Sequence, residues 1–219
     1  MLGRWLVIVL LMALAGILPA AADPADQLRA AAARGDTAGV ERLLKSGVPI
    51  DGKDGEGQTA LLLAVQGAHT VTAKTVIDAG ASINAQARNM DTPWMLAGAR
   101  GHAEMLKSML PKGPDYSLRN RFGGNALIPA CERAHVEAVK VLLTSKIPVD
   151  HVNNLGWTCL LEIVILGDGG PRHVEVTKLV LAAGANTNIA DKDGVTPLTH
   201  ARRRGQAEVA RLIAAAGGR

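Results

Sequence analysis

One period of 33 residues runs through this 219-residue chain in three separate registers. Leu28, Leu61, Trp94, Leu127, Leu160 and Leu198 follow one another at steps of 33, 33, 33, 33 and 38. The apolar pairs Leu43-Leu44, Val76-Ile77, Met109-Leu110, Leu142-Leu143, Val180-Leu181 and Ile213-Ala214 keep the same steps, with the 38 one place earlier. A third register holds Gly47, Gly80, Gly113, Lys146 and Gly184. Such a chain is a tandem array, in which each copy of one supersecondary unit buries its apolar face only by stacking on its neighbours.

Each unit reads as two short helices and a turn. Thr59-Ala60, Thr92-Pro93, Asn125-Ala126, Thr158-Cys159 and Thr196-Pro197 put a capping oxygen just before a helix start. These first helices are expected to stop near Ala68, Gly101, Ala134 and Gly205. Second helices such as 136–143 carry the apolar pairs and end at the glycine of the third register, where a left-handed residue closes a helix. Lys146 at that place predicts a cost of about 1 kcal/mol. Polar turns around 54–57, 89–91, 153–156 and 191–194 separate the units. Helices this short are not stable alone in water, so stacking must hold them.

These residues resemble the ankyrin repeat. Asp193-Gly194-Val195-Thr196-Pro197-Leu198 is similar to the family's G-x-T-P-L opening, Gly101-His102-Ala103-Glu104 to its G-H-x-E, and Gly184-Ala185-Asn186-Thr187-Asn188 to its G-A-D-x-N close. The resemblance implies an all-α solenoid of about six helix-turn-helix units with projecting β-turns. The units fall at 25–51 (an N-terminal cap), 52–84, 85–117, 118–150, 151–188 and 189–219 (a C-terminal cap) within a repeat domain over 23–219.

Residues 1–22 stand apart from the array. Arg4 precedes an apolar run from Trp5 to Leu18, and Ala20 and Ala22 form an Ala-x-Ala site, the pattern of a secretory signal peptide. The run spans roughly 21 Å at about 1.5 Å per residue, short of the roughly 30 Å hydrocarbon core. Cleavage near Ala22 and a periplasmic protein are expected, or a secreted one where there is no outer membrane. Membrane attachment is expected only if the segment is retained. The chain then resembles bacterial exported ankyrin-repeat proteins.

Composition narrows the function classes. With 24 Lys+Arg against 20 Asp+Glu the formal charge is only +4, and no dense basic block occurs beyond Arg202-Arg203-Arg204, which argues against a nucleic-acid binder. Two cysteines exclude a Cys-rich metal site. Cys131 lies late in one first helix and Cys159 opens the next one. Five helical residues (roughly 7.5 Å) plus a stacking step of about 10 Å predict a Cα separation beyond the disulfide limit of about 7 Å, hence two free buried thiols.

Other constellations have structural readings. His69, His102, His135 and His173 share one register. Neighbours about 10 Å apart cannot share a zinc with ligands at about 2.0–2.1 Å, so the histidines are expected to tie the interhelical turns and to bind no metal. The glycines of 52–59 approach a phosphate loop, but Gln58 stands where its lysine must be. None of the five serines sits in a G-x-S-x-G elbow. Glu162 inside an apolar run is expected to satisfy a neighbouring loop's backbone. No cofactor and no enzymatic activity are expected.

Two departures from the array carry the functional expectation. One is the excess of five residues at Gly167-Asp168-Gly169-Gly170-Pro171-Arg172, where Asp168 and Arg172 are candidate contacts. The other is the placement of Trp94, Tyr116, Phe122 and Trp157 in the central units. Phe122 and Trp157 in successive turns read as interface anchors, with Arg88, Arg119, Arg121 and Asn154 as a polar rim. Trp94 replaces a core leucine. The expected protein is a monomeric, non-enzymatic module that binds an unidentified exported protein, as accessory or scaffold to an exported enzyme. The alternatives are an inhibitor or immunity protein against a periplasmic toxin and an enzyme or small-molecule receptor around Glu162 and the Gly167 loop.

Overall fold

A computed structural model describes residues 23–219, so the signal-peptide expectation for 1–22 lies outside the described residues. Six helical hairpins follow one another: α1 (Pro24–Ala33) with α2 (Thr37–Lys45), α3 (Ala60–Gln66) with α4 (Thr70–Asp78), α5 (Pro93–Arg100) with α6 (Ala103–Met109), α7 (Leu127–Glu132) with α8 (Val136–Leu143), α9 (Cys159–Ile165) with α10 (Pro171–Ala182), and α11 (Pro197–Arg203) with α12 (Ala207–Ala215). A 3-10 turn, Leu110–Lys112, follows α6. First helices stack on first helices and second on second, hairpin after hairpin.

The capping residues act as their chemistry requires. Thr59, Thr92 and Thr158 accept from the backbone N–H of Leu62, Met95 and Leu161 at 3.2, 3.1 and 3.3 Å. Asn125 accepts from both Leu127 and Ile128, at 3.0 and 3.2 Å. The apolar registers are the core: Leu28, Leu61, Leu127 and Leu160 are at most 1% exposed. Trp94 fills the same register and meets Tyr116 edge-on, ring centroids 6.4 Å apart. At about 25 cal/mol per Å² of apolar surface removed from water, this burial is what holds helices too short to stand alone.

Three expectations change. Lys146 does not enter the left-handed region; instead Ser145 Oγ donates to the Leu142 carbonyl and accepts from the Ile147 N–H. The side chain closes the helix end, so the strain expected of a lysine is absent. The five extra residues do not all remain loop, since α10 starts at Pro171 and places His173 inside its first turn rather than before it. Finally, Cys131 and Cys159 form a disulfide with Cα atoms 5.6 Å apart. The stacking step and the helical offset do not add, because the start of each first helix lies against the end of the preceding one. Gly98 and Ala126 show the same approach, with a Cβ on Gly98 falling 2.6 Å from the Ala126 carbonyl oxygen.

Candidate protein-binding site

The projecting turns are built on one repeated device. Asp54, Asn120, Asn153 and Asp191 each turn a side-chain oxygen onto the N–H groups two and four residues ahead, at 2.8–3.0 Å. The second such turn has Ala87 there; Asn89 Oδ1 accepts from the Asp91 N–H instead, and Met90 takes the left-handed φ of 66° held elsewhere by glycine. Backbone bonds lace turn to turn: Arg88 N–H donates to Glu56 and Asn154 N–H to Phe122, both at 2.9 Å.

On this frame the two large turn aromatics part company. Phe122, at the tip, is 53% exposed, and the Arg121 guanidinium lies 4.7 Å from its ring centroid. Trp157 occupies a position two residues further along its turn and packs half-buried against the core, so it does not project as expected. The residue that repeats the Phe122 position is Leu155, 33 residues on and 50% exposed. The signal for it is register and not aromaticity, since Leu155 follows Phe122 by one full period.

The proposed rim residues divide as well. Arg119 is spent on the carbonyls of Tyr116 and Leu118, at 2.6 and 2.7 Å, and is structural. Arg88 pairs with Glu56 at 3.6 Å between exposed side chains. The Asn154 carbonyl accepts from Lys192 Nζ at 2.6 Å. Asp168 Oδ1 accepts from the Gly170 N–H and meets His173 Nδ1 at 2.7 Å, which holds its carboxyl below the usual range. With Arg172 and Arg133 these residues border a shallow hollow of about 220 Å³.

A larger concavity of about 560 Å³ opens beneath the Phe122 tip, bordered by Arg100, Arg121, Arg133, Asp91, Glu132 and the rings of His102 and His135. Burial raises the Asp91 carboxyl although Arg121 and Arg100 pull it down. Burial lowers both histidines, with Arg100 beside His102 and Arg133 beside His135 acting in the same direction. Both imidazoles are therefore neutral at neutral pH.

Two histidines of the shared register tie repeats together. His69 Nε2 bonds the Ala33 carbonyl and His173 Nε2 the Glu132 carbonyl, both at 3.0 Å, each reaching into the preceding hairpin. Glu162 is 4% exposed, and its carboxyl is raised to about 7 by burial and then by Glu132. It accepts from the Asn153 side-chain amide at 2.9 Å, not from loop backbone as expected, while Oε2 has no partner. One repeat later His200 and Asp191 make the same turn-to-helix contact at 2.7 Å.

A row of stacked helical hairpins whose central turns and first helices border a common concavity defines a tandem-repeat interaction scaffold. A family model described as ankyrin repeats (three copies) matches residues 28–120 and 94–168. The chain belongs to the ankyrin-repeat family, whose members are protein–protein interaction modules. It is 45% identical to an ankyrin repeat domain, ABAYE2397, of Acinetobacter baumannii AYE, with 88% of this chain and 98% of that one superposed at a TM-score of 0.84. The ankyrin repeat protein EF0377 superposes at 0.83 with 38% identity, covering 87% of this chain and 97% of that one. Ankyrin repeat protein YahD of Escherichia coli K12 is 44% identical over 77 residues, 35% of this chain and 38% of its own length.

Proposed function

We propose that this chain is an exported, non-enzymatic scaffold that binds a folded protein through the concave side and turn tips of its central repeats, in service of another exported protein. The observation that carries the reading is the pair Phe122 and Leu155, two large apolar side chains about half exposed at equivalent tips of adjacent turns. Turn tips are ordinarily polar, and adjacent exposed apolar anchors with a stacked arginine are the makings of an interface hot spot. Arg121, Asn154 and Arg88 flank these anchors, and Trp157 supports the turn from beneath. Asp168 and Arg172 extend the surface at the inserted loop.

Two features support export. Residues 1–22 have the composition of a cleaved secretory signal. The Cys131–Cys159 disulfide suits an oxidising compartment such as the periplasm.

Affinity capture from a periplasmic extract, with the wild type beside the Phe122→Ala/Leu155→Ala variant, tests the reading. The expected result is one protein held by the wild type and lost by a variant with unchanged circular dichroism. Equal retention by both would remove the central tips from the account.

A further inference from the structure

On α4, α6 and α8 the lysines are neutralised locally: Lys74 pairs with Asp78 at 3.1 Å, Lys107 with Glu104 at 2.7 Å and Lys140 with Glu137 at 2.8 Å. Lys178 and Arg211 repeat the arrangement on α10 and α12. The three arginines of the concavity, Arg100, Arg121 and Arg133, make no ion pair among the described residues.

Two of them are nevertheless held in place. Arg133 Nη1 donates to the Ala99 carbonyl at 2.7 Å, and Arg100 Nη1 to the Gln66 carbonyl at 3.4 Å. They sit at equivalent positions, 33 residues apart, each tethered to the preceding repeat. One donor of each planar fork is used, and the others have no acceptor among the described residues. Arg121 is fixed by its stack on Phe122. Against these three guanidiniums stand two acids, Asp91 and Glu132, so with both histidines neutral the formal sum is 3 − 2 = +1.

We infer that the concavity takes an acidic segment of the protein partner, its carboxylates bound by the Arg100 and Arg133 forks one repeat step apart and an apolar side chain laid on Phe122. The inference rests on the reading that the central repeats bind a protein, and adds the partner's chemistry to it. Paired forks suit carboxylates because each can donate two parallel bonds to one group. Being anchored beforehand, they lose little freedom on binding. A nucleic acid fits less well: the concavity offers one exposed ring where single strands stack on several.

The test measures binding of a fluorescein-labelled decapeptide of alternating Glu and Leu to the whole chain, beside the same peptide with Gln for Glu and an oligothymidylate of equal length. Arg100→Gln/Arg133→Gln is expected to weaken the acidic peptide at least about tenfold, because the charge-assisted hydrogen bonds are lost. Added salt should weaken it too, and Arg100→Lys/Arg133→Lys, which keeps the charge, should retain part of the affinity. Equal binding of the Gln peptide, no change in the Arg→Gln variant, or tighter binding of the oligothymidylate would each overturn the inference. A captured partner that depends on Phe122 but ignores Arg100→Gln/Arg133→Gln would overturn the acidic segment alone and leave the protein-binding reading standing.

Discussion

Gly98 and Ala126 stand one 33-residue step before Cys131 and Cys159, and a Cβ on Gly98 would come 2.6 Å from the Ala126 carbonyl oxygen and 3.0 Å from its Cβ. The backbones of consecutive first helices thus touch where one ends and the next begins. One such contact is kept by the absence of a side chain, the next by a covalent bond. Gly98→Ala is expected to destabilise the protein by about 1–3 kcal/mol, the usual cost of overpacking, although alanine is the better helix former. Urea unfolding monitored by circular dichroism checks this; an unchanged or raised midpoint would mean that the stack gives way freely.

The disulfide closes a loop with a sequence separation of 28 between repeats that already pack together. Replacing both cysteines by alanine is expected to cost about 2–4 kcal/mol while leaving the helical signal intact. Thermal melts of the variant, and of the wild type with and without reductant, measure the effect. Identical melting temperatures in all three would show that stacking alone fixes these units.

Glu162 makes stability depend on pH with a definite sign. Its folded value of about 7 lies above the ordinary 4.5, so between these values the folded chain binds more protons than the unfolded one. This contribution is fully present below pH 4.5 and is lost as pH rises through 7. Glu162→Gln keeps an acceptor for Asn153 and removes the charge. It should flatten that part of the profile and stabilise the protein at pH 8 by on the order of 1–3 kcal/mol. Urea midpoints across this range settle it, and a wild-type profile already flat there would rule it out.

Asn153 links that carboxyl to the turn, since the same side chain holds the Leu155 and Trp157 N–H groups at 2.9 and 3.0 Å. Asn153→Ala should loosen this turn and leave Glu162 without its donor, costing about 1–3 kcal/mol. Faster hydrogen exchange at Leu155 and Trp157, with Phe122 and Gly124 unaffected, is the expected signature. Uniform exchange across both turns would contradict it.

The repeat period, the caps and the helix ends were legible because each rests on local chemistry repeated in phase. Thr92, Gly101 and Leu127 do in the structure what their residue types suggest. What was not legible depends on geometry between repeats. The spacing of Cys131 and Cys159 is one case, since the helical offset and the stacking step do not point the same way. Lys146 is another, because the neighbouring Ser145 supplies a closure that needs no left-handed residue. Register would have found Leu155, since it repeats Phe122 at 33 residues, whereas aromaticity pointed to Trp157. The unpaired state of Arg100 and Arg133 has no counterpart in composition, where the charge sums to a small excess.

The most direct test places the photoreactive residue p-benzoylphenylalanine at Phe122 in one version of the chain and at Val71 in another, followed by irradiation in living cells. Val71 is 71% exposed on α4, away from the proposed surface. The account predicts one dominant protein adduct from position 122 and none from position 71. The same adducts from both positions, or adducts from position 71 alone, would contradict it.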